Sequence, residues 1–164
     1  MLAWLLERAT GVEYCDLLRD RIWSHVGAEH DAILTTTPDG TPIAGGGLAV
    51  TTRDLARAGI AFTESDVVPP EVVESMRANG DPEVFRRGGH YAYLAGYSYR
   101  DQWWLPGAPT RPLSAWGIFG QLLWIEPDSD LVVACHAAGP DASNERRDVE
   151  QDALCRAVLA HFTE

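Results

Sequence analysis

Residues 113–134 read LSAWGIFGQLLWIEPDSDLVVA, two apolar, β-prone runs joined by a turn at Glu126-Pro127-Asp128-Ser129-Asp130. Runs of this kind need partner strands, and the stretch before them, YAYLAGYSYRDQWWL, has the same aromatic, β-prone texture. The pattern predicts three consecutive antiparallel strands over 91–104, 114–126 and 130–136. The tail NERRDVEQDALCRAVLAHF follows as a helix over 145–162. Leu154, Val158 and Phe162 recur four apart, with Cys155 and Leu159 beside them, so this amphipathic face should lie across the sheet. The expected class is α+β: an antiparallel sheet packed by helices, the last of them C-terminal.

Gly117 and Gly120 bracket WGIFG within the second expected strand, away from the turn. Glycine weakens a strand and is kept where a backbone or a ligand comes close. A strand N–H beside glycine can also donate to a developing oxyanion without help from a side chain. A β-bulge, or an aromatic ring packed over glycine, would explain the pair equally well.

Upstream, MLAWLLERATG places Leu2, Leu5, Leu6 and Ala9 at helical spacing, with Gly11 as C-terminal cap. VEYCDLLRDRIW continues as a second helix, with Tyr14, Leu17, Leu18, Ile22 and Trp23 on its apolar side. HDAILTTTPDGTPI reads as a strand, a Pro-Asp-Gly turn and a return, and Gly45-Gly46-Gly47 demands a special backbone path. Thr51 and Asp54 form a capping-box variant opening a helix near residue 52. Another helix starts at Pro70 and closes at Asn79-Gly80, and 81–90 reads as loop. With 164 residues, one domain is expected.

Composition narrows function. The formal charge is −11 and all 13 basic residues are arginine, which argues against nucleic acid and anionic membranes as partners. No apolar run approaches the ~18 residues of a membrane helix. The N-terminal stretch meets Glu7 at once and lacks the basic start of a signal peptide. Cys15, Cys135 and Cys155 cannot all pair and lack metal-ligand spacing; as small hydrophobes in a reducing compartment they favour the cytoplasm. The 5 histidines are scattered, so neither a metal nor a cofactor is expected. There is no G-x-S-x-G, and without lysine there is no S-x-x-K nucleophile. None of Ser24, Ser65, Ser75, Ser98, Ser114, Ser129 or Ser143 has an activating local context.

Four segments, in order, resemble serine hydrolases of the β-lactamase superfamily, most of all class C-like esterases and 6-aminohexanoate-dimer hydrolases. LAWLLERATGVEYCDLLRDRIWSHVGAEHDA is similar to the stretch past the family's second motif, and GGGLAVTTRDLARAG to its G-G-L-x-x-T-x-R-D-L-A-R-x-G segment. YSYRDQWWL resembles its Y-x-Y-x-W-W strand, and WGIFGQLLWIEPDSDLVV its G-I-x-G-Q strand pair. The resemblance implies a partial β-lactamase/transpeptidase-like fold. It places the cleft-lining third motif on Trp116-Gly117-Ile118-Phe119-Gly120, with the Ile118 N–H as an oxyanion donor. Gly45, Trp116, Gly117, Phe119 and Gly120 would then contact substrate. Phe119 stands where relatives tend to have histidine, and Gly45 where they often carry asparagine.

The family's S-x-x-K and Y-x-N motifs fall N-terminal to everything matched. The expectation is therefore the C-terminal part of a single serine hydrolase domain that cleaves small-molecule amides or esters through an acyl-serine intermediate. By itself the chain should be inactive and should self-associate through bared sheet and apolar surface. The rival readings are a non-catalytic binding module or degenerate remnant on the same half-fold, and an unrelated α+β domain whose aromatic strands are core.

Overall fold

The computed structural model describes residues 1–63, 67–78, 80–89, 91–107, 109–143 and 145–163. Ser65, and the Asn79 expected to close a helix, lie outside the described residues. Two compact units emerge, Met1–Ala58 and Gly59–Glu164.

In the first unit, α1 (Leu2–Thr10) ends at Gly11, whose φ of 70° lets its N–H reach the Glu7 carbonyl at 2.8 Å. The Glu7 carboxylate then accepts the Tyr14 N–H at 2.9 Å, where α2 (Tyr14–Arg21) begins. The Pro-Asp-Gly turn forms, with a bridge from Thr36 to Pro42. The longer pairing differs from expectation: β1 (Ile33–Leu34) takes β2 (Leu48–Ala49) as its partner. Of the three glycines, Gly47 is the one under constraint: its φ is 77° and a Cβ there would meet Thr35 Oγ1 at 2.7 Å. Helix α3 (Thr52–Ile60) carries the expected capping box. The Asp54 N–H donates to Thr51 Oγ1 at 3.1 Å, and that hydroxyl returns a bond to Asp54 Oδ2 at 2.8 Å.

Asp54 is fully buried and serves as a hub. It also accepts the Glu29 N–H at 2.9 Å, His30 Nδ1 at 3.1 Å and Arg57 Nη1 at 2.7 Å. The Glu29 N–H first, then the side-chain donors, hold its carboxyl well below the usual range.

In the second unit, α4 (Pro70–Ala78) starts at Pro70 as expected. Residues 82–87, expected as loop, form helix α5 (Pro82–Arg87). Asp81 caps it by accepting the Glu83 and Val84 N–H groups, and Pro82 occupies the first turn, where its missing N–H costs nothing.

The sheet is antiparallel, as expected, but has five strands in sequential order where three were expected. They are β3 (Ser98–Arg100), β4 (Trp103–Leu105), β5 (Leu113–Gly117), β6 (Gln121–Glu126) and β7 (Leu131–Cys135). Two expected strands are broken by left-handed turns. Arg100 pairs with Trp103 around Asp101 and Gln102, at φ 48° and 71°. Gly117 pairs with Gln121 around a tip where Phe119 and Gly120 have φ 62° and 93° and the Gln121 N–H closes onto the Ile118 carbonyl. Positive φ at both central positions is the turn whose twist suits a hairpin. Asp-Gln and Phe-Gly lack the usual Asn-Gly signature, so both turns read as strand. Gly120 therefore does sit in a turn. The third connection, at residues 127–130, is the turn expected.

One sheet face carries Trp116 opposite Leu122, Leu122 opposite Cys135, and Trp124 opposite Val133. These pack with Cys155 of α6 (Glu145–Thr163) into the core. The helix is where expected but presents a different face: Leu154 is 55% exposed and Phe162 70%, whereas Cys155 and Leu159 are buried. Polar anchors set the rotation. Tyr93 OH donates to Asp148 at 2.6 Å, Tyr97 OH to Asp152 at 2.7 Å, and Gln151 Nε2 to the Gly120 carbonyl at 2.9 Å. Residues 148, 151, 152, 155 and 159 form one helical stripe, so Leu154 and Phe162 fall outside it.

At the β6–β7 turn, Arg77 grips Asp128 with two bonds of 2.9 and 2.6 Å and donates from Nε to the Arg111 carbonyl at 2.7 Å. The Glu126 carboxylate, fully buried, lies 3.6 Å from Arg77 Nη2. Removing one partner leaves the other charge buried and uncompensated, a loss of roughly 3–5 kcal/mol. Arg77→Leu should lose about that much in denaturant melts, and adding Glu126→Leu should restore a large part of it. A double variant no more stable than the single would contradict this account.

The second expectation concerns the tip. Phe119 is partly exposed and occupies a conformation that costs an L side chain roughly 1–2 kcal/mol. Thermal melts should rank Phe119→Gly at or above the wild type and Phe119→Val below both. The reverse order would mean that the left-handed tip is not the solution conformation.

Candidate functional site

The 118–120 tip presents Ile118 at 63% exposed at the end of β5. Gly117 and Gly120 are needed here because of the chain's own packing. A Cβ on Gly117 would lie 2.9 Å from Gln121 Cβ, and one on Gly120 3.0 Å from Arg147 Cδ and 3.2 Å from Ala137 Cβ. The tip backbone is tied to the segment after β7: the Phe119 N–H donates to the Ala142 carbonyl at 2.9 Å, and the Gly139 N–H to the Phe119 carbonyl at 2.9 Å.

Beside the tip is a cavity of about 80 Å³, walled by Tyr91, Leu94, Trp104, Trp116, Gly117 and Ile118, with Ala142, Ser143 and Asp148 completing it. The aromatic walls are held edge-on. Tyr91 and Trp104 meet at 4.5 Å and 87°, and Phe85 and Tyr99 meet Trp104 at 5.7 and 5.5 Å. Trp116 Nε1 donates to Ser114 Oγ at 2.8 Å, and that hydroxyl donates to the Trp104 carbonyl at 3.0 Å. Ser114, fully buried, is thereby committed to orienting the indole.

Burial, and then the neighbouring carboxylates, push the Tyr93 and Tyr97 phenols above their usual range, so both remain neutral donors. Burial pushes the Cys155 thiol up to about 12, which makes it a packing residue rather than a nucleophile. The arrangement suits a flat apolar group. Among the described residues, no group of three or more His, Cys, Asp or Glu could hold a metal ion, and no helix is long and apolar enough to cross a membrane.

Of the residues singled out from sequence, the structure brings Trp116, Gly117, Ile118, Phe119 and Gly120 together at this tip. Gly45 belongs to the first unit, is exposed, and has nothing within 4 Å of where a Cβ would stand. Sequence reasoning does not single out Tyr91, Leu94 and Trp104 as site residues: Trp104 lies in a strand, as expected, whereas Tyr91 and Leu94 lie in turns rather than the expected strand. Gly96, at φ 81°, sits in the bend that follows Leu94 and could have marked that segment as a turn.

A beta-lactamase family model matches residues 1–155. A 6-aminohexanoate-dimer hydrolase of Paenarthrobacter ureafaciens is 35% identical over 147 residues, covering 86% of this chain and 38% of the relative. A solved structure from Bacillus anthracis, which carries the name 6-aminohexanoate-dimer hydrolase as an assignment, superposes with a TM-score of 0.79 at 28% identity. That match covers 95% of this chain and 40% of the other. The chain thus spans about two fifths of the length of these relatives. A match running almost end to end, with the same fold in a solved relative, means that this chain belongs to the beta-lactamase family.

Proposed function

We propose that the chain is the C-terminal part of a serine hydrolase that cleaves small-molecule amides or esters through an acyl-serine intermediate. The observation that carries this reading is the Ile118 tip, exposed and adjoining an aromatic slot. In that role the Ile118 N–H donates to the oxyanion of the tetrahedral intermediate. Trp116, Gly117, Phe119 and Gly120 line the acyl group. The name 6-aminohexanoate-dimer hydrolase, borne by both relatives, supports an amide substrate.

The 164 residues contain no lysine, so they supply no S-x-x-K pair, and an unassisted serine hydroxyl is a poor nucleophile at neutral pH. The chain alone should not hydrolyse chromogenic esters or β-lactams above a protein-free control, and a fluorophosphonate probe should leave it unlabelled. Labelling of any serine would show that the chain carries its own nucleophile, and the proposed division of roles would fall.

The same lack of lysine favours a second reading, a non-catalytic module on this half-fold. Both readings predict association. Ala3 and Val26 are the buried hydrophobics among residues 1–58, while Leu2, Trp4, Leu5, Leu6 and Ile33 are exposed. So little core cannot hold a unit of this size unaided. Analytical ultracentrifugation of the purified chain should show oligomers or a partner-dependent species. A sharp monomer with a cooperative melt would count against an apolar surface that needs covering.

A further inference from the structure

The oxyanion reading of Ile118 leaves open what keeps an exposed, left-handed tip in one shape. We propose that Gln121, Gln151 and Arg147 are positioning residues that hold the 118–120 tip preformed, so that the Ile118 N–H is presented before a substrate arrives. This rests on the proposed function.

Residues 137–142 have no regular secondary structure, yet they are the strap to which the tip is bound. Side chains fasten that strap at both ends. The Gln121 amide engages Ala137 twice: Nε2 donates to its carbonyl, and Oε1 accepts its N–H at 3.4 Å. Arg147 donates from Nη1 to the Asp141 carbonyl at 3.0 Å and from Nη2 to the Ala142 carbonyl at 3.4 Å. Gln151 reaches the tip itself, at the Gly120 carbonyl. Ala142 in turn accepts the Phe119 N–H, so Arg147 and Phe119 share one carbonyl.

The glycines fit this clamp. Gly117 clears the Gln121 stem, and Gly120 and Gly139 clear the Arg147 side chain. The G-x-x-G-Q spacing at residues 117–121 then reads as one device. Two glycines admit the clamping side chains, and the glutamine is one of them. A single neutral hydrogen bond is comparable in size to the left-handed penalty at Phe119, so several together outweigh it. Such a tip needs no reorganisation when charge develops, which is what an oxyanion donor requires.

The test is backbone NMR on the ¹⁵N-labelled full chain, with Gln121→Glu and Gln151→Glu, which keep shape but delete the donor. Exchange of the Phe119 and Gly139 amides should accelerate about tenfold or more. The Ile118 N–H resonance should move, while the β6–β7 ladder around Trp124 and Val133 keeps its rates. Unchanged Phe119 and Gly139 exchange, or uniform acceleration of the whole ladder, would overturn the clamp. Sodium butyrate, a short acyl anion, separates the two readings. It should perturb Ile118 in the wild type and less so in the variants. No perturbation in the wild type removes the oxyanion assignment itself; equal perturbation in wild type and variants removes only the positioning role.

Discussion

The second unit depends on a polar seam between the aromatic turn after residue 90, the sheet and the C-terminal helix. Tyr93 and Tyr97 each give a hydroxyl to an aspartate one helical turn apart, Asp148 and Asp152, and Arg156 closes on Asp152 at 2.9 Å. Buried hydroxyls and carboxylates must find partners, and leaving one unmatched costs more than a typical apolar contact gains. The seam therefore overrides the helix's own hydrophobic periodicity. It turns Cys155 and Leu159 inward, leaves Leu154 and Phe162 outside, and seats Tyr91 and Leu94 as walls of the slot.

The left-handed turns do comparable work for the sheet. A chain of apolar, β-prone residues can run on as one long strand or fold back, and side-chain propensity scarcely separates the two. Here positive φ at Asp101-Gln102 and at Phe119-Gly120 folds it back twice. Phe119 has no intrinsic preference for such a turn, and neighbouring contacts make it tolerable there. At Phe119 those contacts are the Ala142 carbonyl and the Gly139 N–H. The fold thereby places the exposed Ile118 tip beside an aromatic slot.

The first unit is organised by charge more than by apolar packing. Asp54 gathers a backbone N–H, a hydroxyl, an imidazole and a guanidinium, and Arg57 extends the network to Glu29. A buried carboxylate with this many donors fixes local geometry well but contributes little hydrophobic stabilisation. That agrees with the apolar stripe of α1 standing open.

What the sequence by itself determined is local. Capping at Thr51-Asp54, the αL glycine after α1, proline at the start of α4 and the turn at 127–130 depend on neighbours a few residues away, and each is found where its chemistry places it. The alternating aromatic runs likewise specified an antiparallel sheet, and the four family-like segments specified which fold it belongs to. Tertiary structure decided the strand count, the rotation of α6 and the composition of the slot. The rotation of α6 and the hold on the 118–120 tip turn on contacts 16 to 55 residues apart, such as Gln121 with Ala137 and Tyr97 with Asp152. No short window along the chain contains both partners, so a periodicity that looked sufficient for Leu154 and Phe162 was outvoted by hydrogen bonds from residues far away in sequence.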